Sequence, residues 1–284
     1  MKRILITGAD SYIGTSFETF INGFNGYSVD TLDMRNADWK KYDFSKYDVV
    51  FHVAGIAHSD TKGVSDEVRQ MYYQINTELT IETAKKAKAD GVKQFIFMSS
   101  IIVYGSKNEC ITKESVPVPD NFYGDSKLRA DVGIHQIEDN DFNVVSIRPP
   151  MIYGKGSKGN YPKLAKLARR LPFFPDYENK RSMLYIENLC SFIKLLIDNS
   201  EKGYFYPQNS EYVKTADMVE AIASTHGKKI HLTKVFNFLV SALKKQTIVK
   251  KVFGNMYYDK SVSEYAENYC IVDFEESIRR TENA

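Results

Sequence analysis

The chain is poor in cysteine. Its 284 residues hold three, Cys110, Cys190 and Cys270, far apart, with no CxxC and no neighbouring His pair. That argues against a disulfide framework or zinc centre, and a reduced, cytoplasmic compartment fits. Charge of one sign is also missing. Lys and Arg number 38 against 36 Asp and Glu, for a net +2, so no electrostatic argument points to nucleic acid. No apolar run is long enough to span a bilayer. The start, MKRILITGAD, runs into a glycine turn rather than an apolar stretch with a small-residue cleavage site, so a cytoplasmic protein without a membrane span is expected. Internal repeats and low-complexity segments are absent as well.

What is present is the composition of a globular protein, 43% hydrophobic and 26% charged, long enough for one large domain or two joined ones. Short β-branched runs at 3–7, 29–32, 48–55, 94–100 and 142–149 alternate with helical patterns at about 14–24, 66–89 and 123–138. That alternation predicts an α/β fold, a Rossmann-like doubly wound parallel sheet covered on both faces. After Pro149-Pro150 the pattern changes to proline-punctuated loops and helices at 162–171, 187–198, 215–226, 235–246 and 274–281. We therefore expect a dinucleotide-binding domain over 1–149 and a smaller, mainly helical substrate-binding region over 150–284, with about 181–206 returning to the first. The apolar and basic segment VFNFLVSALKKQTIVKK (235–251) has two readings, a core-facing helix with its lysines in water or a helix lying on a membrane surface. The first is the expectation.

The first strand is followed by TGADSYIG, with Gly8 and Gly14 at the outer positions of a GxxGxxG pattern. Gly8 permits a tight turn and Gly14 a close helix–strand approach. The helix start at Ser11, Tyr12 and Ile13 then offers N–H groups and a positive dipole end to a pyrophosphate. Ser11 replaces the middle glycine; it is small, and its hydroxyl can donate. Asp33 follows 19 residues after Gly14, at the end of the next strand, where a carboxylate binds ribose hydroxyls. It would repel a 2′-phosphate and so favours NAD. Arg35, two residues on, would attract one, so NADP stays open.

FYGDSK (122–127) places Tyr123 one helical turn before Lys127. Tyr42 and Lys46 share that spacing but lie in a polar stretch. Tyr123 instead starts a helix after the strand that ends at Ser99 and Ser100, and in a parallel sheet ligands bind at the carboxyl ends of strands. A nearby ammonium lowers a phenol from its usual value of about 10. The resulting base takes a proton from a hydroxyl as hydride leaves the same carbon.

TGADSYIG, FHVAGIAH, FIFMSSIIVYG, YGDSK and SIRPPMIYG, in this order, resemble the extended short-chain dehydrogenases/reductases over most of the chain. The resemblance implies catalytic roles for Ser100, Tyr123 and Lys127, with Ser100 also on the substrate hydroxyl. It implies cofactor contacts for Ala54, Gly55 and Asn76, and for Tyr123 and Lys127 at the nicotinamide ribose. RPPMIYGKGSKGNYPKL, RSMLYIENL and VFGNMYYDKS are similar to the nucleotide-sugar branch of bacterial surface-polysaccharide pathways, where Asn160 and Arg181 match residues on the diphosphate and sugar. Arg181 otherwise reads as an ion-pair partner of Asp176, Glu178 or Glu187. The family lysine near the phosphates is absent, and His58 stands there as a phosphate contact or a structural histidine.

Ile101 and Ile102 occupy the positions where dehydratases of this family need an Asp-Glu pair, so dehydration is disfavoured. A 4-epimerase acting on a UDP-hexose or UDP-N-acetylhexosamine is expected. The alternatives are a UDP-4-keto-6-deoxy-sugar 4-reductase, and a non-catalytic NAD(P)-binding sensor. The resemblance further implies a homodimer paired through the helices at 66–89 and 123–138.

Overall fold

The computed structural model describes residues 1–57, 63–244 and 246–283, with the backbone alone at Thr247 and Ile248. The chain forms two compact units, each built from separated segments. The first comprises Met1–Ser106, Ser115–Pro149 and Leu189–Pro207, and the second Lys107–Glu114, Pro150–Asn188 and Gln208–Ala284.

The first unit is a six-stranded parallel sheet. Its strands are β1 (Lys2–Thr7), β2 (Tyr27–Leu32), β3 (Val49–His52), β4 (Gln94–Met98), β5 (Asn143–Ile147) and β6 (Gly203–Phe205), in the spatial order β6-β5-β4-β3-β1-β2. Continuous apolar runs suit strands buried on both faces. Ile4, Leu5 and Ile6, Val50 and Phe51, and Phe95, Ile96 and Phe97 are all fully buried. From β1 the chain first turns one way to β2, then crosses to β3 on the other side. The carboxyl ends of β1 and β3 therefore flank a topological switch point, where sheets of this class bind ligands.

Five helical segments dress this sheet: α1 (Tyr12–Ile21), α2 (Asp66–Tyr73), α3 (Leu79–Ala89), α4 (Phe122–His135) and the helix Ile186–Asp198, whose Leu196 O accepts from Gln94 Nε2 of β4. The helix predicted over 66–89 is present but is not uniform. Gln74–Glu78, between α2 and α3, is a π-helical turn that buries Asn76 and Thr77. A single π turn inside an α-helix often marks a functional site. Strand β6 was not anticipated, being only three residues long and on the sheet's edge.

The second unit carries helices Tyr161–Arg170, Thr215–Thr225 and Phe274–Asn283. Three short parallel strand pairs accompany them: Met151–Tyr153 with Met183–Tyr185, Phe173–Pro175 with His231–Thr233, and Cys110–Ile111 with Tyr257–Tyr258. The segment expected as one core-facing helix departs from that reading. It is a 3₁₀ turn (Lys234–Phe236) followed by two short helices, Asn237–Leu243 and Thr247–Phe253. In the first of these helices Val240 is the buried residue. No helix among the described residues is long and apolar enough to cross a membrane.

Candidate active site

The glycine turn lies at the switch point. Gly8 has φ +123°, and a Cβ there would stand 2.6 Å from the Ala54 nitrogen, so only glycine lets the ends of β1 and β3 meet. At Gly14 an added Cβ would come within 3.1 Å of Ile6 and Val53, so glycine lets α1 pack close against the sheet here. Ser11 caps α1, its Oγ accepting from the Gly14 N–H at 3.1 Å. That bond leaves the hydroxyl proton available. The first turn of α1 contains no acidic residue, so the unpaired N–H groups at Tyr12 and Ile13 present an unopposed positive dipole end. Asp33 stands just beyond β2, and its carboxylate accepts from Arg35 Nε and the Arg35 backbone N–H at 2.9 Å. The Arg35 contacts hold Asp33 below the usual carboxylate range. A bare backbone cradle, a helix N-terminus and a carboxylate after the second strand together fit a dinucleotide.

Across the switch point, Asn76 is fully buried and saturated. Its Oδ1 accepts from Ile56 N–H at 2.8 Å, while its Nδ2 donates to Ile56 O and Ser126 Oγ, both at 3.1 Å. The π turn aims this side chain at the β3 loop and α4 together. A Cβ on Gly55 would fall 3.0 Å from Asn76 Oδ1 and 3.1 Å from Lys127 Nζ. Gly55, Asn76 and Lys127 are thus gathered at one place.

Asn121 caps α4 through the Gly124 N–H and so fixes the register that sets Tyr123 and Lys127 on one face. Lys127 is buried; its ammonium donates to Met98 O at 2.9 Å and lies over the Phe97 ring. Burial pushes it down to about 8, against the pull of the Asp131 carboxylate. Burial likewise pushes the Tyr123 phenol up to about 12, with a hydrogen bond to Ser100 acting the other way. The expected lowering of Tyr123 by the ammonium is not seen here, because Lys127 is directed at a backbone carbonyl and burial dominates. Ser100 is extended, caps the turn Ile101–Tyr104 and accepts from Ile102 N–H. Ile101 is buried and Ile102 half-buried in that turn, in keeping with a site that lacks the dehydratase acids.

One cluster escaped the sequence reading. Asp131, one turn after Lys127 and fully buried, accepts from Ser99 Oγ at 2.9 Å and from Arg148 Nε at 3.0 Å. Arg148 also donates to Tyr104 OH and lies over the Tyr204 ring. The cluster ties together the strand end that carries Ser100, the helix that carries Lys127, the end of β5 and the edge strand β6. A signal existed in the repeat of four from Tyr123 through Lys127 to Asp131, but the partner Arg148 is distant in sequence.

Of the remaining candidates, Asn160 and Arg181 belong to the second unit. Asn160 immediately precedes helix Tyr161–Arg170 and makes no capping bond with its side chain. Arg181 donates to Gly254 O at 2.8 Å. The acids weighed as its partners are engaged elsewhere, Asp176 and Glu178 with Lys214 and Glu187 with Arg280. Burial pushes the Arg181 guanidinium below its ordinary value. His58 lies outside the described residues. The described residues contain no cluster of His, Cys, Asp and Glu able to hold a metal.

A family model described as the NAD dependent epimerase/dehydratase family matches residues 4–206. The UDP-glucose 4-epimerase of Vibrio cholerae is 31% identical, over 92% of this chain and 88% of that protein. The N-acetyl-alpha-D-glucosaminyl-diphospho-ditrans,octacis-undecaprenol 4-epimerase of Escherichia coli O157:H7 is 27% identical, over 71% of this chain and 65% of its own. Among solved structures, the UDP-glucuronic acid 4-epimerase of Bacillus cereus in complex with NAD superposes with a TM-score of 0.76 at 17% identity, covering 99% of this chain and 97% of that one.

Proposed function

This chain belongs to the NAD-dependent epimerase/dehydratase family, and from that premise we propose that it is a homodimeric 4-epimerase of a UDP-hexose or UDP-N-acetylhexosamine, serving surface-polysaccharide synthesis. It is an NAD-dependent enzyme of the short-chain dehydrogenase type that modifies nucleotide sugars. The observation that carries the finer reading is the match to a UDP-glucose 4-epimerase over nearly the whole of both chains.

NAD, when bound, supplies the hydride acceptor and donor at C4. Gly8, the first turn of α1 and Asp33 hold its phosphates and adenosine ribose. Tyr123 takes the proton of the 4-hydroxyl and later returns it, while Ser100 holds the same oxygen by a hydrogen bond. Lys127, one helical turn along the same face, serves the nicotinamide ribose. Arg181, a half-buried guanidinium without a carboxylate partner among the described residues, suits the diphosphate. Ile101 and Ile102 offer no acid or base, which keeps the sugar from losing water.

The test is turnover by the purified protein on UDP-glucose, UDP-galactose and their N-acetylhexosamine forms, with polyprenyl-diphosphate-linked N-acetylglucosamine included. Epimer should form without net change in nicotinamide absorbance. Tyr123→Phe should lose about 100- to 10,000-fold in rate and keep NAD binding. Stoichiometric oxidation of added NADPH by a UDP-4-keto sugar, with no epimerisation, would replace this reading by the reductase one.

A further inference from the structure

We propose that the helices at 237–243 and 247–253, with the turn before them, form a docking surface for anionic phospholipid bilayers. The inference is independent of which reaction the enzyme runs. The apolar stripe here faces outward. Val235 is 70% exposed, Phe238 67%, Leu239 45% and Leu243 41%, at spacings of three, one and four that keep them on one helical side. Burying such side chains is the ordinary outcome for a helix packed on its own protein. Here that task falls to other residues. Val240 is buried, Asn237 donates to Asp176 O at 2.8 Å, Thr215 Oγ1 donates to Val252 O at 2.7 Å, and Phe253 packs at a tilt against Phe174. The helices are therefore anchored with the stripe outside.

Charge and composition identify the occupant. Between Glu220 and Asp259 the sequence has no acidic residue and seven lysines. Lys234 and Lys244, at the two ends of the exposed stripe, are both exposed. Asp176, which feels Lys234, is already paired with Lys214 at 2.7 Å. Residues 228–254 contain no Trp, Tyr or Arg. Protein interfaces favour those residues and are depleted in Lys. A second copy of this chain is also disfavoured, because a two-fold interface would set one acid-free lysine segment against another. Phe and Leu beside lysines is the composition of helices that lie in the bilayer interface, with apolar side chains among the acyl chains and ammonium groups at anionic headgroups.

The experiment is co-sedimentation of the full-length protein with vesicles of pure phosphatidylcholine and of phosphatidylcholine with 30% phosphatidylglycerol. Binding to the anionic vesicles should exceed binding to the neutral ones at least tenfold and should collapse on raising the salt from about 0.1 to 0.5 M. Phe238→Ser with Leu239→Ser, and separately Lys234→Glu with Lys244→Glu, should each abolish it while leaving the melting curve unchanged. Failure of the unaltered protein to bind anionic vesicles would overturn the proposal, as would equal binding to neutral ones. Conversion of a dimer to a monomer by Phe238→Ser with Leu239→Ser would also overturn it, in favour of a second copy.

Discussion

Tyr42 and Tyr123 each precede a lysine by four residues, and the structure separates them by what surrounds the pair. Lys46 lies 5.0 Å over the Tyr42 ring, and Tyr42 OH bonds to Tyr47 OH at 2.8 Å, which makes that pair a packing contact. Lys127 is buried beside Gly55 and Asn76. Tyr42→Phe should therefore leave turnover near that of the unaltered enzyme, measured in the assay that Tyr123→Phe fails. The lysine also has a signature in stability. Its native value, about 8, lies below the unfolded value of about 10.4. Below pH 8 both states carry the proton and the buried charge costs its full amount. From pH 8 upward the native state loses its proton first, the unfolded state binds more, and stability recovers. Urea unfolding should thus show Lys127→Met more stable than the original at pH 7, with the gap closing by pH 10; a gap constant across that range refutes the account. Asp131→Asn should move Lys127 further down and cost about 3–5 kcal/mol by stranding Arg148. The Tyr-Lys spacing was legible because it is local, whereas Asp131 was not, because the pair that explains it spans two elements.

At the scale of elements, periodicity carried the strands and helices of the first unit, since buried parallel strands are written as continuous apolar runs. It could not carry the π turn at Gln74–Glu78, where one extra residue per turn leaves composition unchanged while redirecting Asn76. The glycine turn was legible for a different reason, as each glycine answers a steric demand. That demand can be measured against a control. Gly8 and Gly26 both have positive φ, but an added Cβ at Gly26 meets nothing within 4 Å. Gly26→Ala should cost only the backbone strain, on the order of 1–3 kcal/mol. Gly8→Ala should cost more, because the β1 and β3 ends must part, and should lose NAD affinity as well. Thermal melts and calorimetric titration with NAD check both, and equal destabilisation at the two sites would remove the steric argument.

For the whole molecule, the sequence suggests a change of character at Pro149-Pro150 and a return over about 181–206, but it hides the excursion of Lys107–Glu114. In the structure Lys107–Glu114 lies with the second unit and Leu189–Pro207 with the first; a two-residue strand such as Cys110–Ile111 has too little local pattern to announce where it pairs. The proposed homodimer belongs to this scale. Met71 on α2 and Val132 on α4 are 41% and 48% exposed, apolar positions on the two helices through which the proposed dimer pairs. Val132→Glu should shift the mass from dimer to monomer in light scattering at micromolar concentration. An unchanged mass would move the interface elsewhere.

The position of β6 has a consequence for synthesis. It covers the edge of β5, yet the whole of the second unit's first long segment, Pro150–Asn188, is made between the two. At about 5–20 residues per second, a nascent chain holds β5 as a bare edge for several seconds. Throughout that interval Arg148 waits for the Tyr204 ring that will lie against it. The first unit is finished by nearly the last of its residues to leave the ribosome, so a stalled chain ending before Gly203 exposes a sheet edge, and chaperone demand should peak there rather than at the Pro149-Pro150 boundary.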